Sequence, residues 1–259
     1  MLKSINPANL QVLKTYSPMQ ISEVNRIIDL TNTAFEKWGE TSFSKRSKLM
    51  INAAGFLRKQ KEEYSRLMTL EMGKPIAQSR AEVEKCAWVC KYYAENAEKF
   101  LEEELVKTEA YKSKISYRPL GIILAVMPWN YPFWQVFRFA APAIMAGNTC
   151  LLKHASNVPK CALDIEKVFK NAGFPAYIFN TLLISSSDVN DVIEHDLVAA
   201  VTLTGSEHAG GCVASAAGKN IKKSVLELGG SDAFIVLNDA DITKAAKTGV
   251  MGRMLNTGQ

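Results

Sequence analysis

The chain has 259 residues, of which 47% are hydrophobic and 22% charged, and its formal net charge is +5. This composition is typical of a globular protein with one large domain or two, and the small charge excess does not indicate a nucleic-acid-binding surface. Five cysteines without close pairs argue against a disulfide framework, and three histidines without metal-ligand spacing argue against a metal site.

No targeting or membrane segment is evident in the sequence. The first residues lack the apolar core of a secretory signal, and the most apolar stretch, residues 121–127, is too short to span a bilayer. These features predict a cytoplasmic protein that does not associate with membranes.

The first hundred residues are predicted to be helical. Apolar side chains recur at helical spacing from residue 21 to residue 38, with Ser22 as a candidate N-cap. Two further helical stretches cover residues 44–72 and 75–100, and the Gly-Lys-Pro sequence between them is typical of a helix end.

Residues 101–117 change character and leave two interpretations open. Three consecutive glutamates are followed by a segment in which lysines alternate with other residues. This pattern is typical of an exposed β-ribbon, and it is equally typical of a charged linker.

From residue 119 onward, strand and helix patterns alternate. Repeated β-α-β units predict a parallel, doubly wound sheet with right-handed crossovers. The predicted strands cover residues 121–127, 149–153, 177–183, 200–204, 224–228 and 234–237, and the predicted helices cover residues 133–145, 159–171, 188–195, 207–217 and 239–256.

Two of the predicted strands end in polar residues that suit a ligand site. Asn130 lies in the sequence Pro-Trp-Asn-Tyr-Pro after the first buried strand, and open α/β sheets bind ligands beyond the carboxyl ends of their strands. Its amide either donates to a developing oxyanion or belongs to an ordinary turn residue. Lys153 ends the next strand, where it either contacts a ribose hydroxyl or phosphate or is simply solvated.

Two later strands end in motifs that also have two interpretations. Gly205 and Ser206 lead from a strand into a helix, whose N-terminus suits a pyrophosphate, although Ser206 is equally typical of a plain helix cap. Glu227 lies within an apolar strand, so we expect it to be buried, an environment that suits a general base. The alternative for Glu227 is a structural salt bridge.

These four motifs, in this order, resemble the aldehyde dehydrogenase superfamily along the whole chain. They are P-W-N, the strand lysine, T-G-S-x-x-x-G and L-E-L-G-G, and the sequence looks most similar to the NAD(P)-dependent succinate-semialdehyde dehydrogenase branch. The resemblance implies an α/β fold with a doubly wound parallel sheet, Rossmann-like and of the aldehyde dehydrogenase type. N-terminal helices, a protruding β-hairpin and a truncated catalytic domain would complete it.

The resemblance also implies four regions along the chain. Residues 1–100 would be helices that pack on the cofactor domain, and residues 101–118 an oligomerisation hairpin. Residues 119–230 would form the nicotinamide-cofactor-binding domain, and residues 231–259 the start of a truncated catalytic domain. A complete family member would be a homo-oligomer.

Roles for individual residues follow from the same resemblance. Asn130 would form the oxyanion hole, and Glu227 would activate the water that releases the acid. The residues that would bind NAD or NADP are Trp129, Lys153, Ser156, Gly205, Ser206 and Gly229.

Two further positions bear on substrate and cofactor choice. Arg138 matches the position at which semialdehyde dehydrogenases hold the distal carboxylate of the substrate, and a guanidinium suits that task; the alternative is an arginine on the helix surface. Many NAD-preferring members carry a glutamate where this chain has Ser156. A small neutral residue there would not repel a 2′-phosphate, so we expect NADP to be tolerated.

In this family a cysteine thiolate attacks the aldehyde, and none of the five cysteines lies in that motif, which would follow Gln259. We therefore expect a complete family member to oxidise an aldehyde substrate, such as succinate semialdehyde, with NAD(P)+, and the 259-residue chain alone to be inactive. The alternatives for the chain alone are a non-catalytic nucleotide-binding module and an interaction partner of a full-length subunit.

Overall fold

The computed structural model describes residues 1–258 and begins with a β-hairpin that the sequence patterns did not predict. Strand β1 (Leu2–Ile5) pairs antiparallel with strand β2 (Val12–Tyr16). The prediction of an all-helical first hundred residues is therefore wrong here. Strands of four and five residues with mostly exposed side chains do not show the alternation that identifies a half-buried strand. Gln259, the last residue of the predicted region 231–259, lies outside the described residues.

Four helices follow the hairpin: α1 (Ile21–Trp38), α2 (Phe43–Lys59), α3 (Lys61–Met72) and α4 (Ile76–Phe100). The predicted cap is wrong, because α1 starts after Gln20 and Ser22 lies inside its first turn. The predicted continuous helix over residues 44–72 is also wrong, because it breaks at Gln60. The helix end at Gly73 is confirmed: this glycine has φ +79°, a conformation that side chains disfavour.

The segment that follows α4 is a short β-ribbon. Strand β3 (Glu104–Val106) pairs antiparallel with strand β4 (Ser113–Ile115), so the ribbon interpretation of this segment is confirmed and the linker interpretation is wrong. The hairpin is exposed on most of its surface.

The remaining elements form the doubly wound sheet. The strands are β5 (Ile122–Met127), β6 (Thr149–His154), β7 (Phe179–Thr181), β8 (Val198–Thr204) and β9 (Lys223–Glu227), and the helices are α5 (Trp134–Met145), α6 (Pro159–Asn171), α7 (Val189–Glu194), α8 (Glu207–Lys219) and α9 (Ile242–Met254). The five strands are parallel in the order β7-β6-β5-β8-β9. The predicted α/β fold is confirmed.

Strand β5 shows why the sheet needs helices on both faces. Ile123, Ala125 and Met127 point into a core shared with α2, α3, α4, α5 and α6. Ile122 and Leu124 point into a second core shared with α1, α7 and α8. Successive side chains of a strand face opposite sides, so a central strand with two buried faces reads as a continuous apolar run. Within residues 1–258, no helix combines the length and apolar character that a bilayer crossing requires.

The predicted strand over residues 234–237 is wrong. Phe234, Ile235, Val236 and Leu237 belong to no strand or helix, and all four side chains are between 45% and 78% exposed. An apolar run predicts only that a segment prefers burial, whereas a strand also needs a partner for its backbone hydrogen bonds.

Glu71 joins the N-terminal helices to the sheet domain. It lies near the end of α3, is buried, and its carboxylate accepts the backbone N–H of Lys160 at 3.1 Å and of Cys161 at 2.9 Å. These are first-turn N–H groups of α6, which have no partner within their own helix. A carboxylate at this end also lies favourably in the helix dipole.

Replacing Glu71 by alanine should therefore destabilise the fold by about 2–4 kcal/mol, because two backbone donors lose their acceptor in a buried place. Urea-induced unfolding would measure the loss. The matched control is Glu95→Ala, which removes an exposed carboxylate paired with Lys91 at 3.6 Å and should change stability by less than about 0.5 kcal/mol. Equal effects of the two variants would contradict this role of Glu71.

Candidate functional site

The candidate site lies at the carboxyl edge of the parallel sheet. Val126 of β5 pairs with Leu203 of β8, and Thr204 pairs with Glu227 of β9, so the chain leaves these three strands at the same edge. The order of the strands reverses between β5 and β8, because β6 and β7 lie on one side of β5 and β8 and β9 on the other. Such a switch point leaves a crevice between the loops.

A cavity of about 400 Å³ occupies this edge. Seven of the nine predicted site residues line it, namely Trp129, Asn130, Arg138, Gly205, Ser206, Glu227 and Gly229. Lys153 lies within the neighbouring strand β6 and Ser156 follows it, and neither is among the lining residues described for this cavity. The structure therefore brings together the residues of three separate strand ends.

Asn130 is held by its backbone, and its side chain is left uncommitted. Its carbonyl oxygen accepts the side-chain amide of Asn256 at 2.9 Å. Within residues 1–258, Asn130 Oδ1 is buried and has no hydrogen-bond donor. The group that would donate to an oxyanion is the Nδ2–H of the same amide, and the unpartnered Oδ1 means that no described contact of the oxygen fixes the amide in another role.

A buried ion pair fixes the start of α5, three residues after Asn130. Glu82 on α4 accepts the backbone N–H groups of Phe133 and Trp134, both at 2.9 Å, and pairs with Lys74 through its other oxygen. Both side chains of the pair are almost completely buried. Desolvation raises the pKa of Glu82 and lowers that of Lys74, and each partner opposes the shift of the other.

Two more contacts hold the loop between Asn130 and α5. Lys74 Nζ lies 3.7 Å from the ring centroid of Tyr131, a cation–π contact. His154 Nε2 lies 2.8 Å from the carbonyl oxygen of Pro132, and its Nδ1 accepts the N–H of Ala155 at 2.8 Å. These partners require the neutral Nε2–H tautomer, and burial lowers the pKa of His154 to about 4, which keeps it neutral.

The expectation that Glu227 is buried is wrong. Its side chain is 58% exposed, and it ends β9, which is the edge strand of the sheet within residues 1–258. Glu227 Oε2 lies 3.6 Å from Arg138 Nη1, an ion pair between two partly exposed side chains, and the role of Glu227 as a base stays a prediction. Arg138 Nη2 also donates to Thr204 Oγ1 at 3.3 Å.

Ser206 is the N-cap of α8, as the second interpretation of this motif predicts. Its Oγ accepts the N–H of Ala209 at 3.3 Å. The cap uses one N–H of the first turn, and the remaining first-turn N–H groups have no acceptor within the helix, so capping and anion binding are compatible. Gly210 allows Leu228, in the chain after β9, to pack against this turn, because a Cβ at residue 210 would lie 2.5 Å from Leu228 Cδ2.

Lys153 and Ser156 form a second part of the same sheet edge. Lys153 is 8% exposed, and its burial lowers its pKa. An anion beside this amine would favour its charged form and offset that desolvation. Ser156 is exposed in the turn between β6 and α6.

The cysteines lie away from the cavity. Cys86, Cys90, Cys150 and Cys161 are buried, and burial raises the pKa of each thiol. Cys212 is exposed on α8, with Sγ 4.0 Å from His208 Nε2, and lines a different cavity between α7 and α8. In the part of the chain that the structure describes, no group of three or more His, Cys, Asp or Glu is arranged to hold a metal ion.

Sequence reasoning missed the residues that position the loop, namely Lys74, Glu82, His154 and Asn256. Their signal is weak: Glu82 sits at a core-facing position of a helix whose other inward residues are small or apolar. A carboxylate at such a position suggests a buried partner, but the sequence does not identify which one.

Comparison with known proteins places these features in a family. The sequence model that describes the aldehyde dehydrogenase family matches residues 1–259 of this chain. One relative is a Synechocystis protein named probable succinate-semialdehyde dehydrogenase [NADP(+)], which is 54% identical over 258 residues. Another is a Mycobacterium tuberculosis protein named succinate-semialdehyde dehydrogenase [NADP(+)] 1, which is 48% identical over 261 residues. In both comparisons the alignment covers 100% of this chain and 57% of the relative.

Solved structures agree with the sequence comparison. The crystal structure of succinic semialdehyde dehydrogenase from Streptococcus pyogenes in complex with NADP+ superposes with a TM-score of 0.97 at 36% identity. The match covers 100% of this chain and 57% of that one. The chain thus spans a little more than half the length of the relatives that it matches.

Replacing Lys74 by methionine should destabilise the protein by about 3–5 kcal/mol, because Glu82 would remain buried without its cation. The loss should grow between about pH 5 and about pH 8. Lys74 opposes the rise in pKa that burial imposes on Glu82, so in the variant this pKa lies further above its unfolded value than in the wild type. The folded variant then retains more protons than its unfolded chain, and its stability falls more steeply than that of the wild type as pH rises. Urea unfolding at both pH values would measure this.

The matched control for this variant is Lys91→Met, which removes a lysine from an exposed pair. It should be nearly neutral at both pH values. A Lys74→Met variant whose loss of stability is the same at both pH values would contradict the pairing of Lys74 with an ionised Glu82.

Proposed function

This chain belongs to the aldehyde dehydrogenase family, and we propose that it supplies the cofactor site and two of the catalytic residues for the NADP+-dependent oxidation of succinate semialdehyde to succinate. The observation that carries the proposal is one cavity at the carboxyl edge of the sheet. It collects Asn130, Glu227 and Arg138 beside the N-terminus of α8. The reacting groups, a substrate-binding cation and a phosphate-binding helix end are thus within reach of one ligand.

The residues at this edge fit a nicotinamide dinucleotide with a 2′-phosphate. The N-terminus of α8, with Gly205 and Ser206, suits the pyrophosphate. Lys153 is a buried cation whose charge an anionic ribose phosphate would stabilise, and the exposed Ser156 adds no opposing charge. Trp129 and Gly229 line the cavity where the nicotinamide would lie, and the bound cofactor supplies the hydride acceptor.

Asn130 and Glu227 would act at different stages. The Nδ2–H group of Asn130, whose Oδ1 has no described partner, would donate to the oxyanion that forms when a thiolate attacks the aldehyde. Glu227 is solvent-accessible, so it would take a proton from the water that releases the acid. Within residues 1–258, no cysteine lines this cavity, so a polypeptide of these residues should bind the cofactor without turnover.

Arg138 supports the choice of substrate class. Among the residues described as lining the cavity it is the cation, and its guanidinium is 37% exposed and open to a ligand. The relatives named above carry the name of a succinate-semialdehyde dehydrogenase, whose substrate has a carboxylate distal to its aldehyde. A guanidinium can bind such a carboxylate through two parallel hydrogen bonds.

Association with further subunits is also part of the proposal. The β3–β4 hairpin is exposed, with Leu105 and Tyr111 directed into solvent, which supports a role in oligomerisation. A homo-oligomer, or a mixed oligomer with a longer subunit, is the corresponding state. The cytoplasmic location and the four-region division remain predictions.

Replacing Ser156 by glutamate should weaken NADP binding at least ~10-fold and change NAD binding much less, because the new carboxylate would oppose the 2′-phosphate. Calorimetric titration of both cofactors would measure the effect. Ser156→Gln is the matched control: it adds similar bulk without charge and should affect both cofactors to a similar, small extent. Equal weakening of NAD and NADP by glutamate would contradict the placement of the 2′-phosphate.

The 259-residue polypeptide should form no NADPH from succinate semialdehyde and NADP+, although it binds the cofactor. A continuous assay of NADPH absorbance, with a binding titration on the same preparation, tests both halves of this statement. Glu227→Gln is the control for contaminating activity. NADPH formation that this variant abolishes would show that the polypeptide has its own nucleophile and would overturn the prediction.

A further inference from the structure

The contact between Arg138 and Glu227 lies where two cavities meet. Both residues line the cavity that contains Asn130, and both also line a second cavity of about 300 Å³ that runs along α5 beside Phe139 and Pro142. The ion pair, together with Gln135 and Thr204, forms the boundary between the two spaces. Any ligand that reaches from Asn130 toward α5 must therefore pass or engage this pair.

The charges around both cavities are few. Among the described residues that line either space, Arg138 and Glu227 are the charged side chains. One guanidinium is therefore the cation for two anions, namely the carboxylate of Glu227 and the carboxylate of a bound substrate. The two anions compete unless the guanidinium can satisfy both at once.

The two terminal nitrogens of Arg138, the pair that an end-on carboxylate would use, already face partners. Nη1 faces Glu227 Oε2 at 3.6 Å and Nη2 donates to Thr204 Oγ1 at 3.3 Å. A ligand carboxylate that is bound by two parallel hydrogen bonds needs two neighbouring N–H groups of the guanidinium. The contact to Glu227 is long, and both side chains are substantially exposed, so it is weak enough to be replaced.

We propose that Arg138 exchanges partners: it holds the Glu227 carboxylate while the substrate position is empty and releases it when a substrate carboxylate binds. The inference rests on the proposed function, because it takes Arg138 as the substrate-binding cation and Glu227 as the base. Binding of the distal carboxylate then frees the base for the water-activation step. Glu227 and Arg138 thereby act as specificity-determining residues together.

This exchange links recognition to catalysis. An aldehyde without a distal carboxylate would occupy the cavity and leave Glu227 paired with Arg138, so its acyl group would be released slowly. The two anions compete for one cation, so each weakens the binding of the other by the same factor. A mutation that removes Glu227 from Arg138 should therefore raise the affinity for the carboxylate by that factor. Carboxylate affinity is therefore a direct measure of the exchange.

Succinate is the probe, titrated by NMR into the NADP-saturated 259-residue protein at fixed pH and ionic strength. Glu227→Gln removes the competing charge and should tighten succinate binding roughly two- to fivefold, the range of an exposed ion pair. Glu227→Asp keeps the charge but withdraws it from Arg138 by one methylene group, and should tighten binding similarly. Arg138→Met should weaken binding at least ~10-fold.

The aspartate variant separates a direct contact from the general field of a negative charge. If Glu227→Gln tightens binding and Glu227→Asp does not, the field explains the effect and the exchange is wrong. Glu194→Gln, which removes a charge outside both cavities, should leave succinate affinity unchanged. NADP affinity and thermal unfolding of each variant show whether the fold is intact.

The outcomes also distinguish this inference from the proposed function. Succinate binding that requires Arg138 but is the same in wild type and both Glu227 variants overturns the exchange and leaves the substrate assignment standing. No succinate binding by the wild type, or equal binding by Arg138→Met, overturns the substrate assignment and the exchange together.

Discussion

The structure depends on two buried carboxylates, each of which accepts the backbone N–H groups at the start of a helix. Glu82 satisfies Phe133 and Trp134 of α5, and Glu71 satisfies Lys160 and Cys161 of α6. The free N–H groups of a helix N-terminus need acceptors, and a negative charge is favoured there. Each helix start lies directly after a loop at the carboxyl edge of the sheet, so these contacts connect the N-terminal helices to the site.

This arrangement explains why a helical layer that contributes no lining residue still matters to the cavity. The loop from Asn130 to α5 has four anchors: Asn256 on the Asn130 carbonyl, Lys74 on the Tyr131 ring, His154 on the Pro132 carbonyl, and Glu82 on the first turn. Burial of the Lys74–Glu82 pair is costly by itself and is offset by the pairing and by two backbone donors. The pair contacts the loop at two places, through Lys74 on the Tyr131 ring and Glu82 on the first turn of α5.

The sequence predicted the sheet because its strands obey simple rules. Apolar runs such as residues 121–127 need two covered faces, and motifs after strand ends meet at one edge, which is why the cavity contains seven of the residues expected there. The same rules failed for Glu227 and residues 234–237, because an apolar pattern does not reveal whether anything covers an edge strand. The anchors of the Asn130 loop were missed because they are far from it in sequence. His154 lies 22 residues from its partner, Glu82 lies 51 and Asn256 lies 126, and local patterns carry no such information.

The two proposed catalytic residues differ in how they are held, and the difference suits their chemistry. An oxyanion donor stabilises charge best when it is already oriented, since reorganisation would cost part of its benefit. Asn130 accordingly sits on a loop whose position is held by four anchors, which fix where its side chain starts. A base that takes a proton from water must be within reach of solvent. Glu227 accordingly stands at the end of an exposed edge strand, with one long contact to a cation that a substrate can take over. The cavity therefore has a firmly held loop on one side and a replaceable ion pair on the other. The loop suits the oxyanion donor, and the ion pair suits the base.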